Sequence, residues 1–345
     1  MTKRWYQNKT KTIDSAAIEG ALARQAALTK PPGSLGRLEE IGVKFSGWQG
    51  TEKPSLDKIQ IAVFAADHGI AEAGVSAFPQ QVTVEMVKNF SCGGAAISVL
   101  ARQSGARFSI VNMGTAFPCG ESPSLISKPV AAGTHNFSKR AAMSAAQLDQ
   151  ALLSGAETVL ADSQVFIGGE MGIANTTSAA ALGCAYLGVK ASQLTGRGTG
   201  IDDEVLRHKT ELIDSALALH KASATTAFEK LCCFGGFEIA ALAGAYIACA
   251  QKGVPVLVDG FISTAAAVAA VSLNSGARDW MLFSHQSQES GHRHLLSFLN
   301  ASPLLDFQMR LGEGSGAALC VSLLQSACLL QSEMATFEEA AVRTS

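Results

Sequence analysis

The chain has 345 residues, 48% of them hydrophobic and 16% charged, with 27 basic and 29 acidic side chains for a formal net charge of −2. A large core can be buried and disorder is disfavoured; the absence of any basic block or Arg-rich stripe argues against a nucleic-acid partner. The eight cysteines, at 92, 119, 184, 232, 233, 249, 320 and 328, include no Cys-x-x-Cys and mostly sit among Ala and Leu, so they read as buried thiols of a reducing compartment.

The N-terminal MTKRWYQNKTKT is polar and has no apolar h-region, so no signal peptide is expected. Residues 13–29 have the spacing of an amphipathic helix opened by Asp14 or Ser15, and Lys30-Pro31-Pro32-Gly33-Ser34 stops it. A second helix is expected from Leu35 to Gln49, followed by a polar, Pro-containing connector over 51–58 that suits a domain boundary. From Ile59 the rhythm changes. IQIAVFAADHG, RFSIVNMG (107–114), TVLADSQVFIGGE (158–170), GVPVLVDGF (253–261) and WMLFSH (280–285) are near-continuous apolar runs, each ending at Gly or a polar residue. Ala- and Leu-rich helical stretches separate them. Strands buried on both faces and alternating with helices predict a parallel α/β sheet. In such a sheet the ligand lies beyond the carboxyl ends of the strands, which brings Asp67-His68, Asn112, Gly169-Glu170, Asp259 and Ser284-His285 to one edge.

The longest apolar stretches, Phe237–Ala250 and Val254–Leu273, are broken by Glu238 and by Asp259-Gly260, so neither is a clean membrane span. A soluble, cytoplasmic protein without a membrane partner is predicted. The tail from about Leu295 to Ser326 reads as helical apart from the loop around Glu313. Helices from the two termini are expected to form a small second domain (1–55 plus 295–345) beside the parallel α/β domain (56–294).

Three Gly-rich loops stand out. GGEMGIANTT (168–177) leaves a strand and enters a helix, and a helix N-terminus behind glycines binds anions through its free N–H groups. TGRGTG (195–200) is followed by a segment ending in Lys209, and RLGEGSGAAL (310–319) places Glu313 between Gly312 and Gly314. None is a Walker or a dinucleotide fingerprint. Any one alone is an ordinary strand–helix turn; three, each with a carboxylate or a cation, point to a ligand site. His285, His292 and His294 lack the spacing of a metal set, and Asp67-His68 has no Gly-x-Ser-x-Gly partner that would make it hydrolytic.

Seven blocks carry a resemblance: KPPGSLGRLE (30–39), ADHGIAEAGVSAFPQQVT (66–83), GEMGIANTTSAA (169–180), GRGTGIDD (196–203), GGFEIAALAG (235–244), VDGFISTAAA (258–267) and RLGEGSGAAL (310–319). In this order they resemble the nicotinate-nucleotide:dimethylbenzimidazole phosphoribosyltransferases, which make α-ribazole phosphate for the lower ligand of cobalamin. The resemblance implies a homodimer with a Rossmann-like parallel sheet flanked by helices and a small helical domain from both termini. It implies no metal and no cofactor, with nicotinate mononucleotide and a benzimidazole-type base as substrates. Glu313 falls on the family's catalytic base and Glu170 on the glutamate near the ribose phosphate. Gly169 and Gly172 belong to that second loop. Lys209 and Ser287 match positions near the phosphate, and Gly198 the loop by the departing nicotinate. Phe78, Pro79 and Met86 match the acceptor wall. Gly312 and Gly314 would let a flat ring and a sugar phosphate approach the backbone. Two other readings are kept: a non-catalytic nucleotide-phosphate-binding regulator on the same fold, and a metal hydrolase using the three histidines. Carboxylates beside a phosphate speak against a mere binder, because they would repel it.

Overall fold

Ile59–Ala66 is buried at all eight positions, the environment that a β-branched and small-residue run of this kind requires. It is β1 of a wholly parallel sheet with β2 (Arg107–Gly114), β3 (Leu125–Ser127), β4 (Val165–Met171), β5 (Val256–Val258) and β6 (Met281–Phe283), in the order β3-β2-β1-β4-β5-β6. The computed structural model describes residues 4–198 and 200–342. Its helices are α1 (Ser15–Ala27), α2 (Arg37–Gln49), α3 (Gln81–Cys92), α4 (Ala96–Gln103), α5 (Ala145–Thr158), α6 (Asn175–Leu187), α7 (Asp203–Leu219), α8 (Ala227–Phe234), α9 (Phe237–Lys252), α10 (Phe261–Leu273), α11 (His292–Phe298) and α12 (Ser315–Glu333).

The strand order reverses between β1 and β4, since β1 is followed outward by β2 on one side and pairs with β4 on the other. That reversal opens a crevice at the carboxyl ends of β1 and β4, where a doubly wound sheet takes its ligand. Small residues let the helices come close to one another. A Cβ on Gly155 of α5 would lie 1.8 Å from the carbonyl oxygen of Ala241 in α9, and one on Gly244 of α9 would lie 2.0 Å from that of Leu152. The two backbones therefore touch at both crossings.

α1 packs on α2, and α2 on α12. Gln331 of α12 ties them together from a buried position. Its Oε1 accepts from Gln25 Nε2 at 2.6 Å, and its Nε2 donates to the carbonyls of Ala21 and Glu52. α12 also packs on α4 and β4, so the terminal helices run into the sheet core without a break. It is long and apolar enough to cross a membrane, which the two stretches singled out in the sequence are not, and 56% of its apolar window is buried inside the protein.

The structure departs from expectation in four places. Residues 158–164 end α5 and turn before β4 begins at Val165. β3 is an additional edge strand. The tail is helical only over α11 and α12; residues 299–314 between them form no helix. The expected domain boundary at 294/295 falls inside α11, which packs against α10 and α6.

Candidate active site

The carboxyl ends of β4 and β5 and the loop before α12 meet at one place. Gly169 of β4 is where the contact is made: a Cβ there would lie 2.1 Å from the carbonyl oxygen of Glu313. Gly312, Glu313 and Gly314 are all left-handed, with φ of 86°, 65° and 87°. For a residue with a Cβ this costs about 1–2 kcal/mol, so surrounding contacts must hold Glu313 there. Gly314 opens α12 without a side-chain cap of its own. Asp259, just after β5, serves instead: its carboxylate accepts from the amides of Gly314 (3.1 Å) and Ala317 (2.8 Å). His285, beyond β6, brings Nδ1 to 3.8 Å from Asp259 Oδ1. It lies so close to α12 that a Cβ on Gly316 would be 2.1 Å from that nitrogen.

Three carboxyl groups converge here. Glu170 is buried, accepts from the Asn175 side-chain amide, and sets Oε1 against Gly312. Burial, then the charge of Glu238, pushes its pKa up to about 8. Glu313 is buried too, and its Oε2 has no hydrogen-bond partner among the described residues. Burial raises its pKa, while the Ile97 amide at the start of α4 draws it back. Asp259 is raised as well, by burial, against the pull of His285 and the α12 amides.

A second cluster is cationic. Lys209 of α7 is 1% exposed and donates to Thr176 Oγ1 (2.9 Å) and to the Gly196 carbonyl (3.2 Å). Burial lowers its pKa to about 8. Arg310 donates to the carbonyl of Gly198, which is itself left-handed at φ 52°. α6 begins at Asn175 after a left-handed Ala174 and has no side-chain cap, and Ala174, Asn175 and Thr176 at its start line the cavity described next.

Both clusters line one cavity of about 600 Å³, with Phe78, Met86, Glu170, Gly172, Gly198, Lys209, Ser287, Gly312 and Glu313 on its wall. Pro79, Gly169 and Gly314 are not on that wall. Pro79 is exposed, and the two glycines face each other behind the site, where they let the Glu313 loop rest on β4. Val75, Val82, Met86 and Ile173 give the wall an apolar stretch, and Phe78 stands half-exposed at 49% beside it. Asp259, His285, Thr176, Asn175, Arg197, Glu289 and Arg310 also line the cavity; the sequence offers His285 only as a metal ligand, Asn175 and Thr176 only as helix caps, and the other four no ligand role. Asp259 and His285 had been placed on the sheet edge. Arg310 begins the Glu313 block, but nothing in the sequence around Glu289 marks it.

The three histidines do not come together as a metal set. His292 accepts from the Ser287 amide on Nδ1 (2.9 Å) and is hydrogen-bonded through Nε2 to Thr264 (2.9 Å), so both ring nitrogens are engaged. His294 is exposed on α11, and no group of three or more metal-ligating side chains occurs among the described residues. His68 likewise spends both nitrogens inside the core, on Ser178 and Glu238.

A family model described as phosphoribosyltransferase matches residues 10–342. The nicotinate-nucleotide–dimethylbenzimidazole phosphoribosyltransferase of Pseudomonas fluorescens Pf-5 is 54% identical over 346 aligned positions, covering 99% of both chains. The enzyme of the same name from Xanthomonas oryzae pv. oryzae is also 54% identical, again over 99% of each. Among solved structures, the nicotinate-nucleotide–dimethylbenzimidazole phosphoribosyltransferase of Thermus thermophilus superposes with a TM-score of 0.90 at 38% identity, over 96% of this chain and 100% of that one. A second structure, of CobT from the same organism, gives 0.91 at 39% identity with the same coverage.

Proposed function

The chain belongs to the nicotinate-nucleotide–dimethylbenzimidazole phosphoribosyltransferase family, and from that premise we propose how its site works. The enzyme transfers the 5-phosphoribosyl group of nicotinate mononucleotide to 5,6-dimethylbenzimidazole, giving α-ribazole 5′-phosphate and nicotinate for the cobalamin lower ligand. The nicotinate of the donor is a cationic pyridinium and departs from the anomeric carbon as a neutral ring nitrogen, taking the bonding pair without acid help. One benzimidazole nitrogen forms the new bond to that carbon. The other nitrogen's N–H becomes acidic and loses its proton to a base.

Glu313 is that base. The observation that carries this is its buried carboxylate on the cavity wall with an unpartnered Oε2, whose proton affinity burial raises. Lys209, Thr176, Ser287 and the amides around Gly198 and the α6 N-terminus hold the 5′-phosphate. Glu170, with a pKa of about 8, carries its proton at neutral pH. It faces the ribose phosphate as a hydrogen-bond donor and not as a repelling charge. Phe78, Met86 and the apolar wall receive the flat base. We take α1, α2 and α12 as the small domain, and the protein as a cytoplasmic homodimer with no membrane or nucleic-acid partner.

Incubation with nicotinate mononucleotide and dimethylbenzimidazole, followed by chromatography, tests the reading. Stoichiometric nicotinate and α-ribazole 5′-phosphate are expected; their absence with correctly folded protein refutes it. The relatives carry the enzyme's name, and no observation favours a purely binding role.

A further inference from the structure

The cationic cluster contains one group that the transfer chemistry above leaves without a task. Glu289 lies on the cavity wall beside Lys209, Gly198, Ser287 and Arg310. Its carboxylate accepts from the Gly198 amide and faces the charges of Lys209 and Arg310, all of which draw its pKa down against the raising effect of burial. Oε2 sits so close to Gly196 that a Cβ there would be 2.0 Å away. Lys209, in turn, donates only to the neutral oxygens of Thr176 and Gly196 and makes no ion pair among the described residues. Among the described residues, the carboxylate that acts on its charge is Glu289.

A carboxylate at this position has two opposed effects. It holds the 196–198 loop through the Gly198 amide and offsets the buried ammonium. It also repels a phosphate that arrives among the same donors, because like charges a few ångströms apart disfavour one another. Resting on the phosphoribosyl-transfer reading, we propose that Glu289 is a built-in anionic stand-in for the substrate's phosphate, holding the Gly198 amide and facing the charges of Lys209 and Arg310 until the phosphomonoester displaces it. It is a specificity-determining residue for phosphorylated ligands. By weakening their hold it favours release of the phosphorylated product, and it leaves the flat base untouched.

The consequence has a sign that a structural role would not give. Glu289→Gln keeps the shape, and its amide oxygen still accepts from the Gly198 N–H, but the charge is gone. Calorimetric titration should show inorganic phosphate and nicotinate mononucleotide binding at least about fivefold more tightly than to the wild type. Dimethylbenzimidazole affinity should be the same in both. Glu289→Asp, which retains the charge, should stay within about twofold of wild type for phosphate. Equal or weaker phosphate binding by Glu289→Gln overturns the proposal, and so does Glu289→Asp tightening as much as Glu289→Gln. Phosphate affinity is measured without turnover, whereas the transfer reading fails on wild-type nicotinate release, so the two failures are distinguishable.

Discussion

Glu313 combines a left-handed backbone with a buried, unpartnered carboxylate oxygen, and both are costly unless the surroundings enforce them. Such a group is held ready for a proton. Glu313→Gln keeps the shape and can still accept from a ring N–H, but it takes no proton at neutral pH. Transfer should slow by at least about 100-fold, in kcat and kcat/KM alike, since the lost interaction belongs to the transition state. Single-turnover nicotinate release checks this; wild-type turnover would end the general-base assignment. Lys209→Met keeps the buried stem and removes one charge-assisted contact, typically about 1.5–3 kcal/mol. It should raise the KM for nicotinate mononucleotide roughly 10- to 100-fold with little change in that for the base. An unchanged nucleotide KM takes Lys209 out of the phosphate site. At this scale the sequence was most legible where a residue sits in or just after a Gly-rich block: Glu313, Glu170, Gly198 and Lys209 all reach the cavity. Pro79, Gly169 and Gly314 do not line the cavity, because membership of a sequence motif does not say whether a residue faces the ligand or the neighbouring loop. Glu289 was missed because its place on the wall depends on a fold-back that sets it against Gly196 and Gly198, distant in the chain.

Between the residues and the whole stand β4 and α12, which meet at Gly169. A methyl group at that position would lie 2.1 Å from the Glu313 carbonyl oxygen and 2.5 Å from its carbon, and backbone cannot yield as a flexible side chain does. Gly169→Ala should therefore push the Glu313 loop off the strand. Overpacking of this kind costs about 1–3 kcal/mol. A melting temperature lower by a few degrees and a kcat reduced at least about tenfold are expected, although Gly169 does not line the cavity. Wild-type kcat in this variant would mean that the loop's seat on β4 does not set the position of its carboxylate. The strands β1, β2, β4, β5 and β6 were legible because their apolar runs are buried on both faces. β3 was not, since its three residues are half-buried or exposed at an edge and carry too short a pattern to read. Residues 299–309 read as helical, yet they lie between α11 and α12 without helical structure. The cap of α12 could not be read locally either, because it comes from Asp259, 55 residues earlier.

Over the whole molecule, protons bound at the site are linked to folding. Glu170 has a pKa of about 8 in the folded chain against an ordinary 4.5. Between those values the folded state holds a proton that the unfolded chain has released, so Glu170 makes stability fall as pH rises through this window. Other buried groups titrate there or nearby with their own signs. His292, lowered to about 3 from 6.5 by burial, makes stability rise with pH across the acid half. The buried thiols of Cys184, Cys232, Cys320 and Cys328, raised to about 12, act only above the ordinary thiol value of 9. The wild-type curve alone therefore does not isolate Glu170, but its difference from Glu170→Gln does, because the other groups are common to both. Below pH 4.5 Glu170 is neutral in both states and the difference should be constant. From there it should grow in favour of the variant up to about pH 8, where it levels off, because the amide is never forced to ionise in the core. Urea unfolding at unit steps from about pH 4 to 9 measures it. A difference that stays flat, or that shrinks as pH rises, would mean that Glu170 is ionised in the folded chain at neutral pH and meets the ribose phosphate as an anion.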